Sequence, residues 1–134
     1  MITMPLKAPF LAVCLALGSV SLSMAHHSIS AYDNDHPQTV EGTVKQVNWT
    51  NPHITFVVDT AVKDGPQAGT WVFEVSSPGV LTRSGWTKRS LLPGDQATFQ
   101  YLPLRDGRKG GFLFKVKLPD GKELTYSLAV PEEQ

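Results

Sequence analysis

The sequence predicts an all-β protein: a small OB-like Greek-key barrel of five to six strands, with one short helix between strands 3 and 4. Three observations lead to this prediction. Short apolar segments alternate with turn clusters, a helix signal occurs once in mid-chain, and the length suits one domain. A plain β-sandwich is the alternative, but the single helix in mid-sequence favours the barrel.

The strands are predicted from apolar residues that recur with a period close to two. The first segment contains Gly42, which indicates a bulge or a sharp bend of the kind that a small barrel needs. In the fifth segment, Lys115 and Lys117 are expected opposite an apolar face made by Phe112, Phe114, Val116 and Leu118. The six predicted segments are 39–49, 53–59, 70–75, 96–102, 112–118 and 124–128.

The helix signal lies between the third and fourth strands. Ser77 suits the N-cap, Pro78 suits the first helical position, and Gly85 suits the C-terminal end. Val80 and Leu81 are expected to pack inward. About two turns of helix do not persist without tertiary contacts, so this helix has to rest on the barrel.

Residues 1–25 have the pattern of a secretory signal peptide. Lys7 is followed by an apolar centre at 10–17 and by Ser23-Met24-Ala25, which predicts cleavage after Ala25 and export to the periplasm. A membrane anchor is the alternative, but the apolar centre falls short of the roughly 20 residues that a span needs. The remaining chain divides into a polar N-terminal arm at 26–38 and the barrel domain at 39–134.

Cleavage after Ala25 changes the composition of the chain. Lys7 is the only charged residue removed, so 12 basic and 12 acidic residues become 11 and 12, a net charge of −1. This balance argues against nucleic acid as a partner, and no second apolar segment predicts a membrane span in the processed chain. Cys14 and all three methionines are removed too, so the processed chain contains no sulfur. It therefore has neither a disulfide nor a soft ligand for Cu(I).

Several short blocks of the chain resemble a known family. The resemblance covers nearly the whole processed chain, and the family is the bacterial exported family catalogued as domain of unknown function 6152. It implies an exported small β-domain and no established activity. The loop at 63–69 is longer than the pattern suggests. In chain order, the blocks are His26-His27-Ser28, Gly42-Thr43-Val44, Trp49-Thr50-Asn51-Pro52-His53, Trp71-Val72-Phe73-Glu74, Ser77-Pro78, Leu81, Arg83, Gly85-Trp86 and Leu92-Pro93-Gly94-Asp95.

Three of the four histidines are the candidate metal ligands: His26, His27 and His53. His36, which precedes Pro37 in the arm, ranks below them. After cleavage His26 is the N-terminal residue, and we expect its amine and imidazole to chelate one ion together, with His27 as a further nitrogen ligand. Nitrogen-rich tetragonal sites favour Cu(II) or Ni(II), and Zn(II) is also compatible. The alternative is that the paired histidines only suit the cleavage junction, while the ring of His53 bonds a backbone carbonyl and fixes its turn.

A second set of candidates binds a small ligand: Trp49, Asn51, Trp86 and Arg83. Tryptophan rings stack on ligands, and Trp86 follows the helix near Arg83 in a basic stretch. The alternatives are core packing with the indole N–H bonded for the tryptophans, a turn-forming role for Asn51 and a solvated surface for the basic residues.

The sequence gives little support to catalysis. The serines at 76 and 77 lack a nucleophile-elbow motif, and the chain contains no phosphate-binding glycine loop and no zinc-protease motif. We therefore expect a binding module and not an enzyme. Its ligand is Cu(II) or Zn(II), or alternatively a small molecule or an envelope protein bound without metal.

Overall fold

A computed structural model of the protein describes residues 29–126. The chain forms six strands, one 3₁₀ turn and one α-helix within this range. In order, they are the 3₁₀ turn Ile29–Ala31, β1 (Gln38–Asn48), β2 (Thr55–Thr60), β3 (Thr70–Glu74), α1 (Pro78–Arg83), β4 (Gln96–Pro103), β5 (Gly110–Lys117) and β6 (Glu123–Thr125).

The strands form one sheet that closes on itself. Their order is β3-β2-β1-β4-β5-β6, and β3 also pairs in parallel with β5. That parallel pairing joins the two sides of the sheet, so five strands make a closed barrel and β6 extends it beside β5. The predicted all-β barrel, with its helix between strands 3 and 4, is confirmed, and the two-sheet sandwich is not the architecture.

Strand β1 is shared by the two halves of the barrel. Gly42 faces Thr60 of β2 on one side and Ala97 of β4 on the other. A Cβ on Gly42 would lie 2.6 Å from the Val58 side chain and 2.7 Å from the Asp59 carbonyl oxygen, so glycine permits the close approach of β2. The bulge itself lies further along β1, where the register with β2 shifts between Val44 and Gln46.

Apolar side chains from every strand of the barrel fill its interior. Phe73 is fully buried, and its ring lies 4.8 Å from that of Tyr101 and 5.6 Å from that of Phe99. Such aromatic pairs add to the stability that area burial provides. The core also includes Val40, Val44, Ile54, Phe56, Val58, Trp71, Val75, Leu81, Trp86, Leu91, Leu113, Val116 and Leu124.

Local signals in the sequence set both ends of α1. The Ser77 side chain accepts a hydrogen bond from the Val80 N–H, and Pro78 opens the helix, as expected. Gly85 has a φ of 88°, and the N–H of Trp86 bonds the carbonyl of Leu81, which closes the helix with a Schellman motif. Leu81 is buried on the inner face of the helix, as predicted, whereas Val80 is only partly buried. Between residues 29 and 126, no helix has the length and apolar character needed to cross a bilayer.

The expected apolar face of β5 is wrong in part. Leu113 and Val116 are buried, whereas Phe112 and Phe114 are only partly buried. Gln100 of β4 pairs with Lys115, but the next residue, Tyr101, pairs with Leu113. Phe114 is therefore left without a partner in β4 and is the extra residue of a bulge. One inserted residue moves the following side chains to the other face, which simple alternation does not anticipate.

Candidate functional site

His53 lies at the entrance to β2, opposite the end of β3. Backbone hydrogen bonds between Ile54 and both Ser76 and Val75 continue the β2–β3 pairing past the strand ends and fix this register. Glu74 pairs with Thr55, so the carboxylate of Glu74 is a diagonal neighbour of the His53 ring. The His53 Nδ1 contacts the Glu74 Oε1 directly, and the two side chains are 37% and 21% exposed.

The contact with Glu74 orients the imidazole of His53. A carboxylate accepts hydrogen bonds only, so the neutral ring places its proton on Nδ1. The lone pair of a neutral ring then lies on Nε2, at the other side of a ring that solvent reaches. This arrangement suits a metal ligand, because metal-bound histidines usually donate their second N–H to a carboxylate or carbonyl.

Tyr32 holds the second oxygen of the same carboxylate. Its hydroxyl donates to the Glu74 Oε2 at 3.4 Å, and its ring packs edge-on against Phe112 with centroids 5.6 Å apart. Tyr32 is 4% exposed. Burial, and then the negative charge of Glu74, raise the pKa of Tyr32 to about 12, while the positive charge of Arg108 acts in the opposite direction. The hydroxyl therefore stays protonated and donating at neutral pH.

Backbone hydrogen bonds between the N-terminal arm and the end of β4 place Tyr32 beside Glu74. Tyr32 forms an isolated antiparallel bridge with Leu104. The Asp33 N–H donates to the Pro103 carbonyl at 2.8 Å, and the Arg105 N–H donates to the Ala31 carbonyl at 3.0 Å. The arm thus leads directly to the Tyr32–Glu74–His53 chain of contacts.

Of the three predicted metal ligands, the structure places one. His53 lies in the contact with Glu74, whereas His26 and His27 lie outside the described residues. Among residues 29–126, no three His, Cys, Asp or Glu side chains are grouped so as to hold a metal ion. His36, which was not a candidate ligand, bonds the Asp33 carboxylate at 2.9 Å through Nδ1 and thereby lowers the pKa of Asp33.

Of the four candidate ligand-binding residues, one is buried and three are at least partly exposed. Trp86 is 1% exposed, and its indole N–H donates to the Thr125 carbonyl at 2.9 Å, so it packs in the core with its polar atom satisfied. Trp49 is partly buried against that core. Asn51 is exposed in the turn before His53 and precedes a cis peptide bond to Pro52. Arg83 is exposed in the last turn of α1.

Sequence reasoning missed Glu74 and Tyr32. Glu74 falls at an outward position of the alternating segment 71–75, which a strand normally leaves to solvent. The hairpin register of β2 and β3 would have paired Glu74 near His53, but the long loop between the strands does not fix that register from sequence. Tyr32 carried no signal, because its partners lie far along the chain.

Together these features define the class of protein: a small OB-like β-barrel in which a carboxylate orients a histidine beside an N-terminal arm that is hydrogen-bonded to β4. The chain belongs to the family of unknown function DUF6152, whose model matches residues 13–114. This confirms the resemblance that the sequence blocks indicated. No curated protein and no solved structure matches the chain.

Proposed function

We propose that this protein is a non-catalytic binding module of the bacterial periplasm, which holds Cu(II) or Zn(II) between His53 and the N-terminal histidines of the processed chain. One observation carries the proposal. Tyr32 of the arm donates to the carboxylate that orients His53, so the arm is linked through Glu74 to the predicted metal ligand that the structure describes.

In this function Glu74 is a positioning residue and His53 is a ligand. The carboxylate holds Nδ1 and leaves Nε2 for the ion. It also makes the imidazole a stronger electron donor, because the Nδ1 proton is partly shared with a negative group. Tyr32 fixes the other carboxylate oxygen, which restricts rotation of Glu74 and therefore of the His53 ring.

The remaining ligands come from the start of the processed chain. His26 precedes Tyr32 by six positions, a distance of at most about 20 Å in an extended chain. A free amine and imidazole at His26, with His27 beside it, supply nitrogen atoms that suit a tetragonal Cu(II) site or a tetrahedral Zn(II) site. The absence of sulfur from the processed chain disfavours Cu(I).

The test begins with the protein isolated from the periplasm. Mass spectrometry establishes whether the chain starts at His26. Cu(II) is then titrated into metal-free protein and followed by visible absorption and electron paramagnetic resonance, with Zn(II) measured by competition. We expect stoichiometric binding with nitrogen hyperfine structure in the Cu(II) spectrum.

Single substitutions separate the roles of the residues. His26→Ala, with processing verified, and His53→Ala each remove a ligand, and we expect affinity to fall by at least about tenfold. Glu74→Gln keeps the shape of the side chain but weakens its hydrogen bond to His53, and we expect metal affinity to fall by about tenfold. His36→Ala is the matched control, since this exposed histidine of the arm bonds Asp33 and not Glu74.

If His26→Ala binds the metal with unchanged affinity, the N-terminal residue is not a ligand and that part of the proposal is wrong. Unchanged binding in His53→Ala would confine the site to the arm and would remove the barrel from it. If the protein takes up no metal and co-purifies with an envelope protein, the function is protein interaction, and the proposal is wrong.

A further inference from the structure

A cavity of about 410 Å³ lies beside Tyr32, where β3 runs parallel to β5. This volume falls in the range of about 300–1,000 Å³ that small-molecule pockets occupy. The cavity shares Tyr32 and Glu74 with the proposed metal site, but His53 does not line it. Its lining residues are Tyr32, Val72, Glu74, Leu104, Arg108, Lys109, Gly110 and Gly111.

Two consecutive glycines make one wall of the cavity from bare backbone. A Cβ on Gly110 would lie 2.6 Å from the carbonyl oxygen of Val72. A Cβ on Gly111 would lie 2.5 Å from the carbonyl oxygen of Leu102. The neighbouring strands approach too closely here for any side chain, so only glycine fits at these two positions of the wall.

The cavity has an apolar side that solvent reaches. Val72 is 47% exposed, which makes it the most exposed large apolar side chain between residues 29 and 126. The partly buried Leu104 continues the apolar surface. An apolar ligand group placed there would remove this surface from water, which is favourable in proportion to the area covered.

Two cations line the cavity, and hydrogen bonds position both. The Lys109 Nζ donates to the carbonyl of Ala68 at 2.7 Å, which uses one of its three donors. The Arg108 Nε donates to the Asp106 carboxylate at 2.7 Å, and the Arg108 backbone N–H donates to the same side chain at 3.0 Å. Cations that are already positioned lose less conformational entropy when they bind a ligand.

Two cations and one carboxylate line the cavity, and the donors that the cations still offer can bind an anion. Glu74 is the single carboxylate among the lining residues, and it already contacts His53 and Tyr32. Arg108 and Lys109 retain N–H donors beyond those used within their loops. We propose that this cavity binds a small amphiphilic carboxylate, with its apolar part over Val72 and Leu104 and its carboxylate between Arg108 and Lys109.

Hexanoate is a suitable probe, and hexylammonium is the matched probe of opposite charge. Both are titrated into ¹⁵N-labelled, metal-free protein in the presence of a chelator, with amide chemical shifts as the readout. We expect saturable shifts at Val72, Gly110 and Gly111 with hexanoate. Hexylammonium should produce smaller shifts that do not saturate.

Two variants test the arrangement. Arg108→Glu replaces an attraction with a repulsion, and we expect affinity for hexanoate to fall by about fivefold, since an exposed ion pair is a modest contribution. Arg89→Glu makes the same change of charge at an exposed arginine outside the lining and should leave affinity unchanged. Val72→Asp removes the apolar contact and should abolish saturation, while its spectrum shows whether the barrel remains folded.

Equal binding of hexylammonium and hexanoate, or equal loss in the two arginine variants, would overturn the proposal. So would shifts that spread evenly over the surface. His53→Ala should bind hexanoate as the wild type does, because His53 is outside the cavity. Metal uptake and carboxylate binding therefore fail or succeed separately in these measurements.

Discussion

The hydroxyl of Tyr32 ties the arm to Glu74, and its ionisation makes that contact measurable. The pKa of Tyr32 is about 12 in the folded protein, against 10.0 for an unperturbed tyrosine. A folded pKa above the unfolded one means that folding favours the protonated form. The resulting stabilisation is complete below pH 10 and is lost as the pH rises from 10 through 12.

The size of this effect follows from the two pKa values. Two pKa units correspond to at most about 2.7 kcal/mol, and about half of that is lost by about pH 11. Glu74 is 21% exposed, so solvent screens its charge. We therefore expect the wild type to lose about 1 kcal/mol more than Tyr32→Phe by about pH 11.

The assay is urea unfolding, followed by tryptophan fluorescence, of the wild type and Tyr32→Phe between about pH 8 and about pH 11. Phenylalanine keeps the packing against Phe112 and removes the group that titrates. The tyrosines at 101 and 126 remain in both proteins, so their ionisation cancels in the difference. A difference in the free energy of unfolding that stays constant across this pH range would refute the burial of the Tyr32 hydroxyl beside Glu74.

Three further predictions concern the barrel. Gly42→Ala should destabilise the protein by about 2–3 kcal/mol in urea unfolding, because the added Cβ meets the backbone of β2. Gly79→Ala, on the exposed surface of α1, is the control and should be neutral or slightly stabilising. Equal effects of the two substitutions would contradict the close approach of β2 at Gly42. Leu113→Ala should cost about 2–5 kcal/mol and Phe114→Ala clearly less, and the reverse order would mean that β5 has no bulge. Trp86→Phe should cost about 1–3 kcal/mol through its lost hydrogen bond and packing, and a thermal midpoint equal to wild type would place Trp86 outside the core.

The candidate site was only half predictable from the sequence. His53 was recognisable because it follows an Asn-Pro turn at the start of an alternating segment. Its partner Glu74 is 21 positions away across a long loop, and Tyr32 lies on the arm. These contacts depend on how strands and arm are registered in space, and that register leaves no local trace in the sequence.

Local chemistry explains what the sequence alone determined. Period-two alternation predicted the strands, and a serine cap, Pro78 and Gly85 predicted the helix, because each signal involves residues a few positions apart. Tertiary structure decided the parallel closure of β3 on β5, the bulge at Phe114 and the burial of Trp86. These features arise from pairings between distant segments, and a shift of one residue there changes which side chains face the core.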